Sequence, residues 1–169
     1  MKVEKDIIER AREFYKPEFR FIESAELFPP NTERNRLNCY ASFSVTQGLH
    51  STRTYSHLSC PEKQIIITQF AYVAWAQILI ERQAEVEQTA DEFLALQGDT
   101  MFLIDSRIRN RKPILGDRKV SGKIELEGYR ESRDAIIILT NFNFENEGVD
   151  FRNKSCFGNL EFAIVKKPK

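Results

Sequence analysis

One segment constrains this chain more than any other. From Ile65 to Ile80 it reads IIITQFAYVAWAQILI, with Thr68, Gln69 and Gln77 the only polar residues. A helix that is apolar on every side has no face to offer water and must be enclosed. The run stops short of the roughly 20 apolar residues that cross a bilayer, and Glu81-Arg82 follow it directly. A core helix inside a wrapping sheet is expected, with no membrane span.

The start of that helix is written just upstream. Ser59-Cys60-Pro61-Glu62 fits a capping box, in which Ser and Glu satisfy each other's backbone donors. Pro61 is tolerated in the first turn, where its missing N–H costs nothing. Before it lies the polar stretch Thr46 to Ser59, which holds both histidines, His50 and His57. A connection of that length with no structure of its own is often functional.

The flanking segments read as strands and minor helices. Residues 3 to 15 place Val3, Ile7, Ile8, Ala11 and Phe14 near helical spacing, and Pro17 ends the run. Glu18 to Phe28 suits a strand, and Asn38 to Val45 alternates as a half-buried one. Ala84 to Leu96 suits a more polar helix closed by Gly98. Strands are then expected over Met101 to Asn110, Val120 to Gly128, Ala135 to Phe144 and Phe157 to Val165, separated by turn signals. Helix, two strands, long buried helix, accessory helix and four strands is an α+β arrangement. An antiparallel sheet wrapped around a central helix is the hot-dog fold. One helix cannot fill such a sheet's concave face and edge, so homodimers or higher oligomers are expected.

Composition bounds the function. At 169 residues one hot-dog domain over 1–169 is expected, burying roughly 68–70% of the unfolded surface. Twenty-five basic residues balance 25 acidic ones, so no global field attracts nucleic acid or an anionic membrane. Cys39, Cys60 and Cys156 are odd in number and far apart, which suggests neither a disulfide framework nor a zinc site. The charged N-terminus MKVEKDIIERAREF lacks the apolar core of a signal peptide, so a reducing cytoplasm is the expected compartment.

Taken together, YSHLSCPEKQIIITQFAYVAW, the MFLIDSRIRNRKP strand and the SGKIEL strand resemble the FcoT-like thioesterases. That resemblance runs from about Tyr15 to Val165 and implies a hot-dog enzyme acting on long-chain fatty acyl thioesters. Its pocket positions fall on Tyr15, near His50, on Ser59 and on Thr68; only Tyr15 keeps the family's residue type. More distantly, Ser56-His57-Leu58 and the following helix resemble the hydroxyacyl-ACP dehydratases. There the catalytic carboxylate falls on Thr68, which removes the usual His–Glu pair.

Each candidate has a plainer role beside its chemical one. His57 suits polarising a thioester carbonyl or moving a proton, or simply holding a loop. The N–H groups from Cys60 to Lys63 suit an oxyanion, or serve only the Ser59–Glu62 cap. Thr68 and Gln69 hold water or a carbonyl, or Thr68 bonds back one turn within its helix. His50 and Tyr15 rest on position in the resemblance. Cys60 is a nucleophile beside His57 or a small apolar residue. Arg107, Arg109, Arg111 and Lys112 bind the phosphates of CoA or pantetheine, or form a solvated strand face.

The expected function is hydrolysis of a fatty acyl thioester of CoA or an acyl carrier protein. Catalysis is assigned to His57, Thr68 and Ser59, and substrate contact to Tyr15, His50, Gln69, Cys60, Arg109 and Arg111. No metal or redox cofactor is implied. Two alternatives stand beside it: addition to or elimination from an enoyl- or 3-hydroxyacyl-ACP, and a non-catalytic acyl-binding scaffold.

Overall fold

In the computed structural model, which describes residues 2–28, 37–45, 57–81, 86, 88–95, 101–115, 119–150 and 155–166, six strands curl around one long helix. In chain order the elements are α1 (Lys5–Glu13), a 3₁₀ turn (Pro17–Phe19), β1 (Ile22–Phe28), β2 (Asn38–Phe43), α2 (Cys60–Ile80), α3 (Ala90–Ala95), β3 (Met101–Asn110), β4 (Val120–Glu131), β5 (Ala135–Asn146) and β6 (Cys156–Val165). The sheet order is β1-β2-β4-β5-β6-β3, and every neighbouring pair is antiparallel. This is the hot-dog fold.

Enclosure of α2 is what its composition demands. Phe70, Val73, Trp75 and Ala76 are buried within the sheet's concave face. Phe70 packs edge-on to Phe43 of β2 at 5.5 Å, and Phe43 packs the same way on Phe144 of β5 at 5.8 Å. Gly122 makes room for these rings, since a Cβ there would lie 2.5 Å from Phe144. The helix begins where expected. Ser59 N–H donates to Glu62 Oε2 at 2.7 Å, and Glu62 N–H donates to Ser59 Oγ at 3.4 Å.

Two elements differ from the sequence reading. Residues 17–19 form a 3₁₀ turn and not the start of a strand, because Pro17 starts a tight turn closed by Phe19 N–H to Lys16 O and Arg20 N–H to Pro17 O. The accessory helix starts at Ala90, where Thr89 and Glu92 cap each other; Val86, Gln88 and Thr89 precede it as irregular chain.

The two sheet edges are unlike. Along β1, Lys2 bridges to Glu26 and Val3 N–H donates to Ala25 O at 2.9 Å. Along β3 no described strand pairs on the outer side. Leu103 and Ile104 on that edge are exposed at 48% and 52%. No helix among the described residues is long and apolar enough to cross a membrane.

Candidate active site

The end of α1 and the first half of α2 meet over the β3 end of the sheet and leave a cavity of about 200 Å³ there. Its rim is apolar: Phe14 and Leu103, both exposed. Its throat is polar, formed by Tyr15, Gln64 and Thr68. Its inner wall is formed by Ile67, Ala71 and Tyr72 of α2 with Leu160 and Phe162 of β6.

Helical periodicity assembles the throat. Gln64, Thr68 and Tyr72 are four residues apart and share one face of α2. Thr68 Oγ1 donates to the Gln64 carbonyl at 2.9 Å, and Thr68 is also hydrogen-bonded to the side chain of Tyr15. The Tyr15 backbone is fixed by its N–H to Arg12 O at 2.9 Å and by Arg20 Nε donating to its carbonyl at 3.0 Å. Burial pushes the Tyr15 phenol well above its ordinary range; the neighbouring Tyr72 adds to this and the Thr68 hydrogen bond opposes it. Tyr15 therefore keeps its proton at neutral pH and is not a base.

The other sequence candidates lie elsewhere. Gln69, one residue past Thr68, points away from the cavity. Its Oε1 accepts from Phe21 N–H at 3.0 Å and Ile22 N–H at 3.1 Å, and its Nε2 donates to Phe19 O. The amide ties α2 to the start of β1, which leaves no substrate role for it. His57 is exposed and forms a β-bridge with Leu115, while Leu58 N–H donates to Ile114 O at 2.8 Å. It does not line the cavity.

Ser59 and Cys60 mark the start of α2, nine and eight residues, or about 12–14 Å, along the helix from Thr68. The expected oxyanion site at that end meets a physical obstacle. Glu62 N–H is taken by Ser59 Oγ, Lys63 N–H by Ser59 O, and Pro61 has no N–H. Cys60 is exposed. Arg109 and Arg111 are exposed at the far end of β3, with the Arg111 guanidinium 5.2 Å from the Phe157 ring centre. Arg109 is about 20 Å along the strand from Leu103. His50 lies outside the described residues.

Thus Tyr15 and Thr68 come together, and Gln64, Tyr72 and Phe14 join them without having been singled out. The spacing of Gln64 and Tyr72, one turn to either side of Thr68, was the available signal.

The hot-dog architecture is shared with solved structures. A candidate thioesterase from Syntrophus aciditrophicus superposes with a TM-score of 0.54 at 13% identity, covering 95% of this chain and 97% of its own. A candidate thioesterase from Lactococcus lactis gives 0.49 at 9% identity, covering 86% and 92%. A variant of an acyl-CoA hydrolase from Staphylococcus aureus gives 0.43 at 12% identity, covering 78% and 70%. At 13% identity the likeness to the first of these is one of fold alone. No protein-family model matches the chain, and no curated protein matches it in sequence.

Proposed function

We propose that this chain is a thioesterase-type enzyme that hydrolyses an acyl group from CoA or an acyl carrier protein, with the reacting carbonyl held at Tyr15 and Thr68. The observation that carries this reading is an apolar cavity whose throat holds a half-buried phenol that keeps its proton. On binding, the phenol turns its proton from Thr68 to the carbonyl oxygen, where a positioned donor is matched to the negative charge that develops under attack. Water held beside the Gln64 amide attacks the carbonyl carbon, and the C=O electron pair moves onto oxygen. Collapse of that intermediate breaks the C–S bond. The proton from water ends on sulfur, which gives a carboxylic acid and a free thiol. No carboxylate or imidazole from the described residues lines the throat, so the rate rests on positioning and on a leaving thiolate whose ordinary pKa is about 8.5.

The rim opens beside the bare β3 edge, and a second copy pairing there places its own surface over the mouth. A homodimer across β3 is part of this proposal. So is recognition of a thioester's phosphate-bearing arm by Arg109 and Arg111, since that extended arm has a strand's length to span.

The test is thiol release from acyl-CoA and from acyl carrier protein, followed with a thiol reagent, for the wild type and for Tyr15→Phe and Thr68→Val. Steady release that falls in both variants supports the reading, and equal rates in all three reject it. The neutral throat also favours a second reading, an acyl-binding protein without turnover, which binding without thiol release would establish. Mass gain when an enoyl thioester and an amine are supplied together would instead indicate conjugate addition.

A further inference from the structure

We infer, resting on the acyl-thioester reading above, that the cavity accepts short acyl chains of no more than about eight carbons, with Ala71, Tyr72 and Leu160 setting the limit. The resemblance to long-chain thioesterases points the other way, so the volume decides. A dry cavity of about 150 Å³ accommodates one benzene ring. On that scale the roughly 200 Å³ found here takes on the order of eight carbons, and a chain of about sixteen would need roughly 400 Å³.

Among the described residues, the surrounding packing leaves the chain nowhere further to go. Exposure falls from the rim (Phe14 at 56%) to the inner wall (Tyr72 at 3%, Phe162 at 2%), so an acyl group enters past the polar throat and ends against Tyr72. The Tyr72 ring is backed by Phe93 of α3, with centroids 5.6 Å apart, and Phe93 is itself buried. Farther along α2, Trp75 packs on Tyr129 at 5.7 Å. On the sheet side, Phe43, Phe70 and Phe144 fill the space between helix and strands. Close-packed interiors of this kind do not open for a methylene without cost. Carbons beyond the limit stay outside the cavity at the rim, where Phe14 and Leu103 of the single chain are exposed and cover them only in part.

The test uses S-alkyl pantetheine thioethers of increasing length, which carry the arm common to CoA and carrier proteins and cannot be hydrolysed. Calorimetric affinity is expected to rise about fourfold per methylene, the fold-change equivalent to about 0.8 kcal/mol per buried CH₂, and to level off near eight carbons. Ala71→Leu should shorten the plateau by about three carbons, and Leu160→Ala should lengthen it by a similar amount; opposite shifts separate a size limit from a folding defect. Affinity that keeps climbing beyond about twelve carbons, or a plateau unmoved in both variants, overturns the inference. A plateau at the expected length with no thioester hydrolysis upholds the size limit and rejects the enzyme. Hydrolysis that favours long chains does the reverse.

Discussion

The phenol of Tyr15 is hydrogen-bonded to the side chain of Thr68, linking the residue just past α1 to the third turn of α2. This contact joins two helices at the throat of an apolar cavity. It also leaves a half-buried, protonated phenol beside the Thr68 hydroxyl at that throat.

Replacing Tyr15 by Phe removes that donor and keeps the ring. The expected result is a loss of about 10²- to 10³-fold in kcat, the usual cost of one oxyanion donor, with stability lower by only about 1 kcal/mol. Steady-state kinetics and urea denaturation on the same sample check both.

Alkaline pH should unfold the protein from a definite point. Burial raises Tyr15 above its ordinary 10.0 and raises Cys39 from 9.0 to about 12. It raises Cys156 from 9.0 to about 11, although the charge on Lys63 opposes it. With folded pKa values raised, the unfolded chain loses these protons first. Stability from these groups is then fully present below about pH 9 and falls as pH rises beyond it. Denaturant midpoints measured between about pH 7 and 11 should be flat and then decline, less steeply in Cys156→Ala. A midpoint constant to pH 11 would contradict this.

Gln69→Leu keeps the volume but leaves the Ile22 N–H group without its acceptor and the Phe21 N–H with Phe19 O alone. One orphaned buried donor should cost about 1–3 kcal/mol. Kinetics on the folded fraction should show activity per molecule near wild type, because the side chain does not face the cavity.

His57→Ala should change thioester hydrolysis by less than about threefold, the exposed ring being at the β-bridge to Leu115 and not at the throat. A mutant with no activity would relocate the reaction to the start of α2.

Ile104→Lys places a charge on the β3 edge, where no described strand pairs, a common way of blocking strand pairing. If two copies join there, light scattering should show the wild type as a dimer and this variant shifted toward monomer. A variant that stays dimeric would place the interface elsewhere.

Much of the architecture was legible in the residues. The all-round apolarity of Ile65 to Ile80 required enclosure, the Ser59–Glu62 box marked the helix start, and the alternation in Val120 to Gly128 announced a half-buried strand. These are local signals, carried by neighbours within a few positions. The misreadings at Glu18 to Phe21 and at Val86, Gln88 and Thr89 came from turn and cap geometry, where Pro17 and Thr89 override the surrounding pattern; residues 84, 85, 87 and 96 of the expected helix lie outside the described residues.

The site was less legible. Thr68 and Gln69 are adjacent polar residues on one apolar helix and look equivalent in a string of letters. About 100° of helical rotation separates them. That rotation aims one at Tyr15 and the cavity, and the other at the backbone of β1. The amino-acid order alone determined that a greasy helix would be wrapped by strands. Which of its few polar groups faces a cavity, and how much space lies beside it, depended on contacts between residues some fifty positions apart, such as Gln69 with Phe19. Only the folded chain brings those together.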